Sequence, residues 1–552
     1  MRGPAAALPT PVNRDPLDQT RRGRFDPETV HRRRWWTLVA LCLSLVLVIV
    51  GNTVLNVALP TLVRELDATN SELQWMVDAY ALVFAGLLLT SGALGDRFGR
   101  KHALTAGLIV FGAGAVGAAL SDSPAQIIAA RGVMGVGASF VMPATLSILA
   151  AVFPPEERPK AIAIWAGLSG AGAAIGPVAG GWLLEHFWWG SVFLLNVPIV
   201  VIALVSGRVL VPNSRDPHET PLDPVGAGLS IVGVGALVYG IIEAPVEGWT
   251  SARPVAGFAV AAVGLVAFCL WERRTEHPML DLAFFRRPAF SAGAGAITLV
   301  FFAMFGSFFL LTQFFQLVLG YTPLEAGVRL LPVAFTLMLV APNSARVAAR
   351  IGTRNTMAIG LTVVAAGLAL FTLAGTDASY ASVLFPVMVL AFGMGMTIPP
   401  ATSAIMSSLP LAKAGVGSAV NDTTRELGGA LGVAILGSIV ASAYSSKLGD
   451  VLPAELPAQA VEAAKSSLGA ALEVARQAGV PELAGTARTA FVESMHLANV
   501  AAAVVSVAAA AVVLKFMPSN VEVHPHGGQT AMDDETEARG MATVAEAESF
   551  VP

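Results

Sequence analysis

The chain alternates long apolar blocks with short polar breaks almost from end to end. The blocks fall near residues 36–62, 74–95, 103–120, 126–150, 161–184, 190–210, 225–243, 254–271, 290–319, 327–349, 355–375, 381–407, 416–440 and 495–516. Roughly 20 mostly apolar residues cross a bilayer as a helix. The blocks are continuous and do not alternate residue by residue, which favours helices over barrel strands. The pattern predicts an all-α polytopic membrane protein with about fourteen transmembrane helices. One break is long. Residues 441–493 carry helical spacing at Val461, Ala464, Leu468, Leu472 and Ala475, which predicts a small folded cap outside the membrane. The ends, 1–34 and 518–552, are rich in Pro, Gly and charge and are expected to be disordered cytoplasmic tails.

Composition agrees with the pattern. Of 552 residues, 55% are hydrophobic and 13% charged, against about 25% charged in soluble domains. A net charge of -4 with no large one-sign field argues against nucleic acid as a partner. Cys42 and Cys269 both lie in apolar blocks, against a disulfide framework or a metal site. The first apolar run is too long for a signal-peptide core. Only 6 of the 34 basic residues are lysine, and Ala and Gly are abundant. That usage suggests a high-GC bacterial gene and hence a bacterial cell membrane.

Charge placement sets the orientation. Basic residues favour the cytoplasmic side. Counting from a cytoplasmic N-terminus, they fall in alternate breaks, at Arg32–Arg34, Arg97, Arg100 and Lys101, Arg158 and Lys160, Arg208 and Arg215, Arg273–Arg287, Arg346–Arg354, Lys413 and Lys515. The intervening short breaks at 121–125, 185–189, 320–325 and 376–380 lack them, with Arg64 and Arg253 as exceptions elsewhere on that side. An even number of spans with both termini inside follows.

A weak repeat divides the chain. Asp96-Arg97-Phe98-Gly99-Arg100 follows the second span, and Ala349-Arg350-Ile351-Gly352-Thr353-Arg354 follows the tenth. The predicted plan is a six-helix half at 35–210, two inserted helices with linkers at 211–288, and a second six-helix half at 289–517. Paired halves around a midplane site are common in secondary transporters.

Three runs carry candidate chemistry. The first is Gly92-Ala93-Leu94-Gly95-Asp96-Arg97-Phe98-Gly99-Arg100-Lys101. Gly92 and Gly95 permit close backbone approach and Gly99 suits a tight turn. Asp96 can pair with a nearby arginine or face a helix N-terminus. A contact of that kind, made in one conformation and broken in another, is a latch involving Gly92, Asp96, Arg97, Gly99 and Arg100. The positive-inside rule explains the basic residues but not the acid between glycines. The second run is Arg131-Gly132-Val133-Met134-Gly135-Val136-Gly137. A membrane arginine needs a partner or a wet cavity, and snorkelling to an interface explains Arg131 about equally well. The third surrounds Pro177 with Gly172, Gly176, Gly180 and Gly181. Small residues four apart let helices touch, and the proline should bend the helix.

In order and spacing these runs resemble the signature motifs of the major facilitator superfamily, across nearly all of residues 36–516. The third resembles the seam of its drug:proton antiporters. Asn52-Thr53-Val54-Leu55-Asn56, Gln74-Trp75-Met76-Val77-Asp78 and Asn421-Asp422-Thr423-Thr424-Arg425-Glu426 strengthen the likeness. With fourteen helices the chain looks like the EmrB/QacA branch. The resemblance implies proton-driven export of amphipathic drugs or metabolites by alternating access. It implies no enzymatic activity, no cofactor beyond the proton gradient, and a monomer whose partners are the bilayer, protons and a small amphipathic substrate. The alternatives are an exporter of an endogenous lipid or secondary metabolite, and a proton-coupled importer.

Ionisable residues within helices are the candidates for coupling: Asp78, Asp422 and Glu426, with Arg131. Positions 422 and 426 share a helical face, and Arg425 can neutralise Asp422. The competing reading makes 422–426 solvated helix-start acids. Where relatives usually carry an acid, two residues before Thr53, this chain has Gly51, and 327–345 holds no carboxylate. That favours monocationic, neutral or amphipathic substrates over dications. Candidate cavity residues are Asn56, Trp75, Phe305, Gln313, Gln316, Met394 and Arg425, in an apolar site with few polar points. No metal cluster, nucleophile motif or nucleotide-binding loop is visible.

Overall fold

The computed structural model describes residues 27–66, 70–214, 222–449 and 457–519, and helix is the only regular structure among them. The first set comprises α1 (Pro27–Leu66), α2 (Asn70–Phe98), α3 (Arg100–Ala119), α4 (Pro124–Val152), α5 (Arg158–His186) and α6 (Ser191–Leu210). Two further helices follow, α7 (Pro224–Glu247) and α8 (Ala252–Glu272). Then come α9 (Pro288–Gln313, prolonged by a π-helical turn over Phe314–Val318), α10 (Leu331–Ile351), α11 (Thr353–Phe371), α12 (Tyr380–Ser407) and α13 (Ala414–Gly449). Two short helices, α14 (Ala458–Ser466) and α15 (Leu468–Ala478), precede the last long one, α16 (Pro481–Phe516). Among the described residues thirteen helices are long and apolar enough to cross a membrane, and the 29-residue α5 is a further long one.

The packing repeats. In the first set α1 lies on α5, α2 on α4, and α3 on both α4 and α6. In the second α9 lies on α13, α10 on α12, and α11 on both α12 and α16. The two sets meet along two seams, α2 against α13 and α5 against α10, while α7 covers the flank beside α2 and α13. The turns read as a repeat correspond in backbone as well. Gly99 (φ 106°) joins α2 to α3, and Gly352 (φ 85°) joins α10 to α11. A side chain rarely tolerates that region, so each glycine permits a one-residue break between helices.

Several helices outrun their apolar blocks. Residues 27–34, read from sequence as tail, already belong to α1. There Arg34 donates to both oxygens of Glu157, at 2.6 and 2.9 Å, and holds that carboxyl below its usual range. The break at 441–493 is likewise shorter than expected, because α13 runs to Gly449 and α16 starts at Pro481. Their Ala-, Ser- and Lys-bearing ends are helical but not apolar, so hydropathy stops short of them. Between them lie α14 and α15. Ser467 caps α15 by accepting from the Ala470 N–H at 3.2 Å. Ala464, Leu468 and Ala475 are buried, and the Tyr444 hydroxyl donates to the Ala464 carbonyl at 3.2 Å.

Candidate functional site

At one end of the bundle, α2 and α13 touch through glycine. A Cβ on Gly92 would lie 2.5 Å from the Gly415 carbonyl oxygen, and one on Gly415 would lie 2.5 Å from that of Gly92. This approach lays Asp96 on the N-terminus of α13. The Gly415 N–H is 2.9 Å from both carboxylate oxygens, and Val416 N–H donates at 3.2 Å. Arg100 Nε donates to the same carboxylate at 2.9 Å, while its Nη2 reaches the Leu411 carbonyl. Asp96 and Arg100 are buried. Free N–H groups and the positive end of a helix dipole suit a carboxylate. Both partners offered by the sequence, arginine and helix terminus, are therefore engaged at once, across a seam between the two sets. Arg97 lies over Phe98 and, with Asp96, Asp223, Met279 and Lys413, lines a cavity of about 230 Å3.

The glycines of α5 form the contact with α1. A Cβ on Gly172 would meet Ile49 at 3.2 Å, one on Gly176 would meet Thr53 Oγ1 at 2.0 Å, and one on Gly180 would meet Val54 at 2.8 Å. Gly181 points elsewhere, toward Leu324 ahead of α10. The helix runs unbroken through Pro177, whose side chain lies outside the described residues.

Arg131 on α4 is fully buried. It donates from Nε to the Met76 carbonyl and from Nη1 to the Gly51 carbonyl, each at 2.9 Å, and from Nη2 to Asn52 Oδ1 at 3.2 Å. Its guanidinium lies 4.4 Å from the Tyr80 ring centre. It does not snorkel. The cation is satisfied by backbone carbonyls of α1 and α2 and an aromatic face.

Two cavities occupy the middle of the bundle. The larger, about 660 Å3, extends away from the Asp96 end. Asp78, Gln74, Phe305, Gln313 and Glu426 line it, α7 supplies Val238 and Ile242, and Ser466–Leu468 of the short helices stand at its far end. The smaller, about 180 Å3, is lined by Tyr80, Phe301, Phe305, Met394, Asp422 and Glu426 among others. Asn52, Phe305, Arg425 and Glu426 line both. Asp422 is buried. One oxygen accepts from Asn421 Nδ2 at 3.2 Å and the other has no hydrogen-bond partner.

The family profile described as Major Facilitator Superfamily matches residues 41–433. The chain belongs to the major facilitator superfamily. Within it, this transporter is 38% identical to the multidrug efflux pump LfrA of Mycolicibacterium smegmatis, over 87% of this chain and 96% of that one. It is 35% identical to the methyl viologen resistance protein SmvA of Salmonella typhimurium, over 84% of this chain and 94% of the other. A third relative, the tetracenomycin C resistance and export protein of Streptomyces glaucescens, is 32% identical over 87% and 91%. These relatives fit the drug:proton antiporter branch. The human organic anion transporter MFSD10 shares the fold, with TM-score 0.57, 14% identity, and 87% and 99% of the two chains covered.

Within this superfamily frame the sequence candidates separate. Asp78, Phe305, Gln313, Met394, Asp422, Arg425 and Glu426 line the cavities. Trp75 lies against Tyr239 of α7, ring centres 6.3 Å apart and planes tilted by 30°, and lines neither of the two, and Gln316, in the π-helical turn, lines neither as well. The side chain of Asn56 lies outside the described residues. Asp422 and Glu426 are not helix-start acids, because α13 begins at Ala414 and carries both into the bundle interior. Two groups escaped sequence reasoning. Trp165 is fully buried beside Arg425, and nothing in its spacing marks it. Glu243 of α7 lies close enough to Asp78 for their charges to interact. Its position four residues after Tyr239, on one helical face, was the available signal. Among the described residues no group of three or more His, Cys, Asp or Glu could hold a metal ion.

Proposed function

We propose that the protein exports amphipathic compounds in exchange for protons, by alternating access, with the Asp96 end in the cytoplasm and both termini inside a bacterial plasma membrane. The observation that carries this is the pair of cavities. Their walls are apolar and aromatic, yet Asp78, Asp422 and Glu426 open into them. Intramembrane carboxylates that line a cavity suit proton relay and cation binding. The knot of Asp96 and Arg100 on α13 supports a conformation closed at the cytoplasmic end, and the basic residues of that end support its orientation. The tight α1–α5 contact supports the antiporter reading, and the printed names of the relatives support efflux. As the family resemblance implies, we take the transporter to act as a monomer with the proton gradient as its energy source.

In this reading Asp78 and Glu426 load and release protons, Asp422 and Arg425 adjust the charge between them, and Arg131 fixes Asn52 in the cavity wall. Latch opening and α5 sliding on α1 let the halves rock. The likeness to a tetracenomycin C resistance and export protein favours a second reading, export of an endogenous secondary metabolite through the same cavity. The test is dye efflux from proteoliposomes driven by an imposed pH gradient. Asp78→Asn and Glu426→Gln should each lower the proton-driven rate about tenfold or more while leaving insertion intact. Full activity in both variants would refute the coupling assignment.

A further inference from the structure

Arg425 stands where the two chambers meet. Its guanidinium lies 4.7 Å from the Phe301 ring centre and 5.5 Å from that of Trp165. Asp422 is 3.6 Å away, beyond good hydrogen-bond distance. Glu426, one position along, is near enough for charge interaction. Among the described residues no hydrogen bond holds the head group, in contrast to Arg131 and Arg100, which each make several. The smaller chamber has the composition of a receptor for an organic cation. Phe84, Phe301 and Phe308 offer aromatic surface, Met304 and Met394 offer soft apolar surface, and Asp422 has an unpartnered oxygen. Aromatic faces with a carboxylate attract a desolvated cation. The cation now over one of those rings, Phe301, is the chain's own.

We propose that Arg425 is a tethered surrogate for the substrate's cationic centre, which an entering organic monocation displaces from Phe301 and Trp165 toward Glu426 and the larger chamber. The site is the one assigned above to export, but binding and displacement do not depend on the direction of transport. Two unit charges a few ångströms apart repel strongly in a low-dielectric cavity, so substrate and guanidinium exclude each other. Displacement breaks face contacts and a long ion pair but no hydrogen bond. It also loosens the boundary between the chambers, which Arg425 lines together with Asn52, Phe305 and Glu426. The chemical class follows: monocations with aryl groups compete for the inner chamber, whereas a neutral amphiphile leaves Arg425 in place and uses the larger one.

The test measures binding of tetraphenylphosphonium, and of neutral triphenylmethanol as its control, to the full chain in lipid nanodiscs at pH 8. With the competing cation gone, Arg425→Ala and the bulkier Arg425→Gln should bind the phosphonium about tenfold tighter, while Arg425→Lys stays within about threefold of the parent. Triphenylmethanol should bind all four within about threefold. In the unmodified protein the phosphonium should also change the emission of Trp165, identified by its loss in Trp165→Phe. Equal or weaker phosphonium binding in both neutral variants overturns the proposal. So does a saturating ligand that leaves Trp165 emission unchanged, which holds even if both variants fail to fold. Proton-driven efflux measured in parallel separates the two readings: tighter binding without efflux in the parent defeats export alone, and efflux without tighter binding defeats the surrogate alone.

Discussion

At the scale of single residues, burial decides which charges carry structure. Arg131 uses its fork on three oxygens from two other helices and its face on Tyr80. Arg131→Lys keeps the charge but cannot satisfy all of these. Each buried acceptor left unpaired costs about 1–3 kcal/mol, so unfolding in detergent should begin about 1–3 °C lower for each acceptor lost in a chain of this size, as scanning fluorimetry would read. Gly51 has a part in this arrangement. Its backbone carbonyl accepts from Arg131 Nη1 at 2.9 Å. Gly176 makes a sharper prediction. An added methyl would sit 2.0 Å from Thr53 Oγ1, and overpacking of this kind costs about 1–3 kcal/mol. Gly176→Ala should therefore lower both stability and efflux, and Thr53→Ala, which removes the obstructing oxygen, should restore much of the loss. A strictly additive double mutant would show that the contact is not the cause.

Elements carry the conformational argument. The dipole end of α13 is paired with a carboxylate from α2, so the proposed latch joins helices of the two sets. Its counterpart turn after α10 retains the positive-φ glycine, Gly352, but offers Ala349 in place of an acid. The two seams should then differ in how they close. Asp96→Ala removes three acceptor contacts at the α13 terminus. It should raise the maleimide reactivity of a cysteine placed at Lys413 several-fold, and slow turnover more than it weakens substrate binding. Unchanged reactivity and unchanged rate would remove the latch. The sequence supplied the members of this contact and both partner types, because glycines around a lone acid are a local pattern. It could not supply the address, since Gly415 lies 319 residues from Asp96 and only the packing of α2 on α13 joins them.

On the scale of the molecule, the proposed alternating access requires the two six-helix sets to move against each other along α2–α13 and α5–α10. An ideal Cβ on Gly167 of α5 lies 3.3 Å from the Ala341 Cβ of α10, close to the disulfide spacing of about 3.5–4.5 Å. With Cys42 and Cys269 replaced by alanine, Gly167→Cys with Ala341→Cys should cross-link on mild oxidation and stop transport, and reduction should restore it. Transport that continues in the cross-linked protein would exclude movement at this seam. The inserted pair gains a place at the same scale. α7 lies against α2 and α13 and contributes to the wall of the larger cavity, so in the proposed mechanism the insertion helps enclose the transport site.

The sequence by itself determined the solvent of this protein, its succession of membrane helices, the break between α2 and α3, and the residue types able to bear charge inside a bilayer. These follow from short-range rules: a continuous apolar run must become a helix in lipid, a tight turn there requires glycine, and a charge needs a reason to stay. Tertiary structure alone decided which groups meet. It set Arg131 on backbone carbonyls, laid Asp96 on a helix end, placed Arg425 on the walls of both cavities and kept Trp75 and Gln316 off them. Those outcomes depend on which helical faces turn toward one another across hundreds of residues, and no local pattern encodes that.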